Sequence, residues 1–478
     1  MQCSSRLVAT IIVLKNNMKN QQLQKLLKYW NKLRISSINR QILSAVLTVG
    51  IGTGLVKVIS VAKELVVAWK FGTSDAMDAF LIALLVPAFI INVVASSFNA
   101  AVIPTYIQVR EKEGKEAAQR LFSGTTVWSV LLLLIITILV VVTSPIYLPI
   151  IAKNFSPEKL NLTHDLLLAI SPIILLSGVI TIWSAILNAG ERFALAALSP
   201  IITPSMSIAF LLANNSWGVF ALASGLVFGS FLEIILLGVA LHRQGISLSP
   251  KWHGFDIHLR QVAGQYMPMM AGALLMNSSG LVDQSMAAIL SPGSVAALNY
   301  GNRVVSLPIS LITTALSTAI IPYFSKMVAC EDWTSVRHTL KHYLSLIIAF
   351  TVPLTVLLII FSEPIVKIIF QRGSFTSADT HLVAQIQTCF ALQIPFYLAN
   401  ILVVRLISSM HLNYRLMWAS GLNLIINIGL NYLFIIWMGI RGIALSTSCV
   451  YIFCFFYLLF FVQKKLTIKF KHQVKSHA

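Results

Sequence analysis

Eight ionisable side chains stand inside stretches that are otherwise apolar: Lys57, Lys63, Glu64, Asp78, Glu233, Asp283, Arg303 and Arg405. An ionisable group at the middle of a bilayer costs about 2.5–3.5 kcal/mol on insertion scales, so each calls for a compensating role. Lys57 and Glu64 are seven residues apart and share one helix face, while Lys63 and Lys70 share a neighbouring one. Lys57, Lys63 and Arg303, partly offset by Glu64 and Asp78, would make a hydrated cavity cationic. Lysine meets phosphate as a point charge, and arginine can clamp it with two parallel hydrogen bonds. The expected chemistry is binding of an anionic group, a phosphate or pyrophosphate. The alternative at this point is that Lys63–Glu64 or Asp78–Arg303 are ion pairs that fix helix packing. Asp283 reads either as a coupling-ion ligand or as a hydrogen bonder between helices. Glu233 and Arg405 read as structural groups or as further coupling sites.

The elements that position these charges are membrane spans. Hydrophobic residues make up 57% of the 478-residue chain and charged residues only 11%, with a mean hydropathy of +0.82. A soluble domain carries roughly 25% charged residues. Apolar runs long enough to cross a hydrocarbon core of roughly 30 Å recur along the sequence. They fall near 42–69, 78–106, 123–143, 164–188, 194–213, 217–240, 262–289, 295–324, 342–361, 380–409, 416–437 and 439–462. Prolines and small residues interrupt 78–106 and 295–324. The expected fold is an all-α polytopic membrane protein of about twelve transmembrane helices.

The runs also repeat at an interval of about 220 residues. Gly72 stands 15 residues before Pro87, and Gly293 stands 15 residues before Pro308. Ala101-Val102-Ile103-Pro104 is answered by Ala319-Ile320-Ile321-Pro322, and Ser144-Pro145-Ile146 by Glu363-Pro364-Ile365. Trp217-Gly218-Val219 is answered by Met438-Gly439-Ile440. Six spans per half put both halves in one orientation, related by a pseudo-twofold axis along the membrane normal, with a site between them. The expected organisation is a basic cytoplasmic segment 1–41, an N-lobe 42–243, a cytoplasmic linker 244–261, a C-lobe 262–463 and a basic cytoplasmic tail 464–478.

The net charge of +19 is mostly a topology signal. With the N-terminus inside, most Lys and Arg fall on cytoplasmic segments, as the positive-inside rule requires, so nucleic acid is not an expected partner. Leu23, Leu26, Leu27, Trp30 and Leu33, interleaved with Lys25, Lys28 and Lys32, read as a basic helix on the inner leaflet or as a basic tail, and Met18 is an alternative start. Cys3, Cys330, Cys389, Cys449 and Cys454 have no metal-ligand or CxxC spacing, so neither disulfide nor metal is expected. No GxxxxGK[ST], HExxH or GxSxG motif marks an enzyme, and no cofactor is implied. Transport would then draw on an ion gradient, the membrane potential or product consumption.

Four stretches carry a family resemblance. Lys57–Gly72 with Asp78-Ala79-Phe80 and Pro87 resembles the first two spans of the lipid II flippase (MurJ/MviN) family, within the multidrug, oligosaccharidyl-lipid and polysaccharide exporter superfamily. Ile186-Leu187-Asn188-Ala189 with Arg192-Phe193 and Pro200 resembles its fourth-to-fifth span junction. Asp283, Gly293-Ser294-Val295, Tyr300-Gly301-Asn302-Arg303 and Leu307-Pro308 resemble its seventh and eighth spans, and Arg372-Gly373-Ser374-Phe375-Thr376 its ninth-to-tenth loop.

The resemblance covers roughly residues 45–460 and implies a V-shaped protein of two six-helix lobes around a cationic cavity. It also implies a polyprenyl-pyrophosphate-linked glycan as substrate, turned from inner to outer leaflet of the bacterial cytoplasmic membrane by alternating access. Membrane lipids and a coupling ion (H+, Na+ or Cl−) are the other implied partners. The family's basic positions map onto Lys57, Lys63 and Arg303, and its acidic positions onto Glu64 and Asp78. Ile91 and Asn92 stand where it has paired arginines, Ser96-Ser97 where it has an acidic residue and glycine, and Pro204 where it has asparagine. The family also carries two further spans that hold the lipid tail. A surface-polysaccharide repeat unit is therefore an alternative cargo. An organic cation is another, although the basic cavity would repel it.

Overall fold

A computed structural model describes residues 37–190, 192–213, 215–248, 254, 256–410 and 412–477. The basic helix expected at 18–34 lies outside the described residues, as do 249–253 and 255 of the expected linker.

Among the described residues the chain is helical, with sixteen α-helices and two short 3-10 turns. They are α1 (Ser37–Phe71), α2 (Asp75–Glu113), α3 (Lys115–Ile151), α4 (Pro157–Ile170), α5 (Pro172–Ala189), α6 (Phe193–Leu198), α7 (Ile202–Ala213) and α8 (Val219–Arg243). The second set comprises α9 (Ile257–Ala288), α10 (Ser294–Ala329), α11 (Trp333–Ile360), α12 (Ser362–Phe370), α13 (Ser377–Ala391), α14 (Ile394–Ser409), α15 (Asn413–Met438) and α16 (Ile440–His477). Backbone polar groups in hydrocarbon must be satisfied within the segment, which is why apolar runs of this length become helices.

Nine helical stretches among the described residues are long and apolar enough to cross a membrane. The three long helices outside that set are α1, α9 and α10, of 35, 32 and 36 residues. They are the helices that carry Lys57, Lys63 and Glu64, then Asp283, then Arg303. Helix α3 carries no charged residue between Arg120 and its end at Ile151. Its Leu131, Leu134, Ile135, Ile138, Leu139, Val142, Ile146 and Ile150 are all exposed, a face that only acyl chains would solvate.

The prolines and small residues of the second and eighth spans do not break their helices. α2 is one helix of 39 residues through Pro87 and Pro104, and α10 is continuous through Pro308. Packing against neighbouring helices lets a membrane helix keep prolines. The repeat survives at its turns. Gly72 follows the end of α1 at φ 52° and Gly293 precedes α10 at φ 82°, and Gly218 and Gly439 precede α8 and α16 at φ 52° and 59°. A side chain is disfavoured at these angles, so glycine recurs where the chain reverses.

Helices α1–α8 pack mostly on one another, and α10–α16 do the same. The seam between α7 and α8 is built from small residues. A Cβ on Gly225 or Gly229 would come within 2.7 Å of the Cα of Ser207 or Thr203. Helix α9 belongs to both sets, packing along α2 and α3 and also along α15. Its Tyr266 is fully buried edge-on to Phe98 and Trp128, at 5.8 and 5.6 Å between ring centroids.

Candidate functional site

Helix α1 presents Lys57, Ser60, Val61, Glu64 and Leu65 along one side, and α10 presents Arg303, Val304, Ser306, Leu307 and Ser310 opposite. With Ile368, Ile369 and Phe370 of α12, these residues enclose a cavity of about 470 Å³. Glu64 is the pivot. Its Oε1 lies 2.9 Å from Lys63 Nζ and 3.3 Å from Arg303 Nη2. Two cations from helices far apart in sequence thus share one carboxylate. Lys63 and Glu64 retain 19% and 17% of their side-chain exposure and Arg303 keeps 56%. Arg303 therefore has donors left for a ligand, and Lys57 is exposed on the same wall. One end of the cavity is cationic and the α12 wall is apolar.

The structure therefore brings together four of the five expected binding residues: Lys57, Lys63, Glu64 and Arg303. It places Asp78 elsewhere. Asp78 is 1% exposed, and its two carboxylate oxygens accept the backbone N–H groups of Gly293 (2.7 Å) and Ala296 (2.9 Å) at the start of α10. Lys159 Nζ is 3.0 Å from Asp78 and 2.5 Å from Asp75. A carboxylate at a helix N-terminus satisfies otherwise orphaned donors and opposes the helix dipole. Asp78 pairs with Lys159 rather than with Arg303, and it joins the two halves of the chain. Residue 159 carries no sequence signal that would have marked it as the partner.

Other contacts gather around the same end of the molecule. Ser374 donates its N–H to Trp69 O at 2.9 Å and its hydroxyl to Lys70 O at 3.0 Å, while Thr73 donates to Asp379. Gly72, Gly293 and Gly373 lie directly against the backbone of Ser374, Thr73 and Trp69, with no room for a Cβ. Lys70 donates to Leu211 O near the C-terminal end of α7, a helix-capping role.

Asp283 of α9 sits among neutral donors. Asn431 Nδ2 is 2.7 Å and Asn427 Nδ2 3.0 Å from its Oδ1, and the Thr447 hydroxyl is 3.1 Å from its Oδ2. No cation is paired with it among the described residues. The i, i+4 spacing of Asn427 and Asn431 in an apolar run was the available clue to this cluster. Glu233 of α8 accepts from Ser199 (3.0 Å) and Thr203 (3.1 Å), continuing the small-residue seam with α7. Arg405 is half-buried on α14, apart from the cavity. No group of three or more His, Cys, Asp or Glu among the described residues could hold a metal ion.

These features define a class: a multi-pass, all-α membrane protein with buried charges gathered at the meeting of two repeated sets of helices. The sequence profile of the lipid II flippase MurJ family matches residues 67–478, and the chain belongs to that family. It is 27% identical over 437 residues to "Probable lipid II flippase MurJ" of Buchnera aphidicola subsp. Schizaphis graminum (strain Sg), covering 90% of this chain and 85% of that one. To the protein of the same description from Synechocystis sp. it is 25% identical over 435 residues, covering 87% and 81%. Its fold matches a solved structure of lipid II flippase MurJ in an inward closed conformation, with a TM-score of 0.77, 26% identity and 87% of each chain covered. An inward-facing multidrug resistance MATE family transporter of the MOP superfamily shares the fold at a TM-score of 0.74 and 13% identity, over 89% of this chain and 98% of that one.

Proposed function

We propose that the protein is a flippase for a polyprenyl-pyrophosphate-linked glycan, with lipid II, the peptidoglycan precursor, as the substrate. In this reading it works by alternating access in a bacterial cytoplasmic membrane, with α1, α9 and α10 also crossing to make twelve spans. The lobes are residues 42–243 and 262–463, and both termini are cytoplasmic.

The observation that carries the reading is the cavity between α1, α10 and α12. It offers Lys57 and Arg303, with Lys63 paired to the lining Glu64, on one side and the Ile368–Phe370 wall on the other. A headgroup with two phosphates needs the first, and the start of a prenyl chain needs the second. Charge-assisted hydrogen bonds contribute about 1.5–3 kcal/mol each, so two or three basic groups suffice to hold a pyrophosphate. The same charges oppose an organic cation. Asp283, a carboxylate among amides and a hydroxyl, is the place for a coupling cation, H+ or Na+, while Glu233 and Arg405 serve helix packing.

Ile91 and Asn92, standing where family members carry arginines, favour a second cargo: a lipid-linked repeat unit for surface polysaccharide. Both cargoes share the pyrophosphate. Depletion of the protein, followed by identification of the lipid-linked precursor that accumulates, separates them. Muropeptide-bearing lipid supports the first, and a different glycan the second. In a flippase-depleted bacterium, Lys63→Ala and Arg303→Ala should each abolish complementation at normal protein level. Unimpaired growth of both variants would falsify the flippase reading.

A further inference from the structure

A cavity of about 430 Å³ opens at the far end of α2 from Asp78, where α2 finishes, α3 begins and the chain leaves α8. Its wall carries Tyr106 and Arg110 of α2, Lys115, Glu116 and Gln119 of α3, and residues 244–247, which lead from α8 toward α9. The cationic cavity shares no residue with it.

The wall is built in part and left open in part. Arg110 is held in place, its Nη1 donating to Ala189 O at 2.8 Å and its Nε and Nη2 to Glu111 Oε1 at 3.2 and 3.0 Å. Both terminal nitrogens keep a second hydrogen for a ligand. Gln119 fastens the segment after α8, donating to Ser247 O at 2.8 Å and accepting the Ser247 N–H at 3.2 Å. Gly114, at the start of α3, has no side chain to cap the first N–H groups of that helix. Tyr106 is left unsatisfied. It is only 6% exposed, yet its hydroxyl bonds to no other described residue. Nor is that hydroxyl sealed in packing, as those of Tyr147 and Tyr300 are, so it opens on the cavity. A hydroxyl withdrawn from bulk water costs free energy unless a partner satisfies it. The side chains of Lys115 and Gln244 likewise bond to no other described residue.

We propose that this cavity is a regulatory site for a phosphate-bearing ligand of the cytoplasmic side, separate from the cargo's path. It rests on the topology proposed above for the side it faces, and not on the identity of the cargo. Arg110 and Lys115 supply positive charge, and the Tyr106 hydroxyl and the uncapped α3 N–H groups supply donors, the complement of phosphate oxygens that only accept. Glu116 is the acidic residue of the wall, and with Gln244 it can bond hydroxyl groups carried beside the phosphate. The volume suits a small polar ligand. A soluble phosphomonoester and a phospholipid headgroup present the same group to these residues. Occupancy would fasten residues 244–247 to α2 and α3. That segment leads into α9, which packs on both sets of helices and whose His258 Nε2 lies 3.0 Å from Glu113 Oε2 at the end of α2. A bound phosphate therefore holds this end in its present arrangement and slows transport.

The test is titration calorimetry of the purified full chain, in phosphatidylcholine nanodiscs, with glycerol 3-phosphate. Tyr106→Phe and Lys115→Gln should each weaken binding at least about fivefold, whereas Arg303→Ala should change it by less than about twofold. The Tyr106 hydroxyl has no protein partner, so Tyr106→Phe should unfold at the wild-type temperature or above it, which separates lost binding from lost structure. A second arm leaves out the soluble phosphate and counts, by native mass spectrometry, the phosphatidic acid retained from nanodiscs of mixed lipid. Weakening by the variants in the first arm assigns a soluble ligand, and weakening in the second arm alone assigns a lipid headgroup. Binding that neither variant weakens in either arm, or that is missing from both arms, overturns the site. In proteoliposomes, whichever probe binds should slow flipping by the wild type at least about threefold and leave the rate of Tyr106→Phe unchanged. Equal wild-type rates with and without that probe overturn the regulatory role. Absence of flipping when no probe is present overturns the flippase reading and leaves the binding site standing.

Discussion

In the proposed reading, Glu64 sets how firmly the cationic cavity holds its ligand. Lys63 and Arg303 already contact a carboxylate at 2.9 and 3.3 Å, so an incoming pyrophosphate competes with Glu64 for the same donors. That competition weakens binding and eases release, which a transporter needs because its cargo must leave on the far side. Replacing Glu64 with glutamine removes the competing charge while keeping the side chain's shape. Glu64→Gln should bind polyprenyl pyrophosphate about tenfold tighter, roughly 1.4 kcal/mol, and transport it more slowly. Titration of the purified variant with the bare lipid checks the first effect, and a flipping assay in proteoliposomes the second. Weaker binding than wild type would mean that Glu64 orients Lys63 and Arg303 rather than competing with the ligand.

At the scale of elements, α10 is held by its first turn. Asp78 accepts the Gly293 and Ala296 N–H groups and is neutralised by Lys159, tying the start of α2 and α4 to the start of α10. Breaking a buried ion pair by removing one partner's charge costs about 3–5 kcal/mol, because the other charge is left without compensation. A device of that strength, placed where two repeated sets of helices touch, biases the molecule toward closure at this end. Asp78→Asn keeps one acceptor for the helix but loses the charge. Spin labels at the exposed positions Lys153 and Ser291 should show a longer-distance population in the variant, accompanied by a transport rate at least about tenfold lower. An unchanged distance distribution would show that the glycine-lined loop contacts close this end without Asp78.

The two sets of helices are joined at both ends of the molecule. Polar loop contacts close one end, through Trp69–Ser374, Thr73–Asp379 and Asp78–Gly293. At the other, α9 is seated by Tyr266 packed between Phe98 and Trp128 and by His258 Nε2, 3.0 Å from Glu113 Oε2. Hydrogen bonds and close glycine contacts break over short movements, whereas aromatic packing tolerates sliding. Alternating access requires that the loop end open once per cycle. A cysteine pair at Thr73 and Ser374, in a background without native cysteines, should therefore stop transport when joined by a short thiol cross-linker. Reduction of a cleavable linker should restore it. Full transport by the cross-linked protein would mean that cargo crosses without separation of these loops.

Much of this architecture is written in the sequence because its physics is local. Twenty-residue apolar runs become helices since hydrocarbon offers no other backbone partners. Gly72, Gly218, Gly293 and Gly439 mark reversals since only glycine takes their backbone angles at no cost. The adjacency of Lys63 and Glu64 made their ion pair visible, and the rarity of charge in such runs singled out Arg303 and Asp283. The tertiary structure decided the partners. Lys159 meets Asp78 across 81 residues, and Arg303 reaches Glu64 from a helix in the other half of the repeat. Asn427, Asn431 and Thr447 surround Asp283 from helices more than 140 residues away. Periodicity records which face of a helix is polar, but which opposing helix meets that face depends on the packing of all the others. Asp78 shows the difference most clearly: its charge was legible along the chain, yet only the approach of α10 made it a cap between the halves instead of a wall of the cavity.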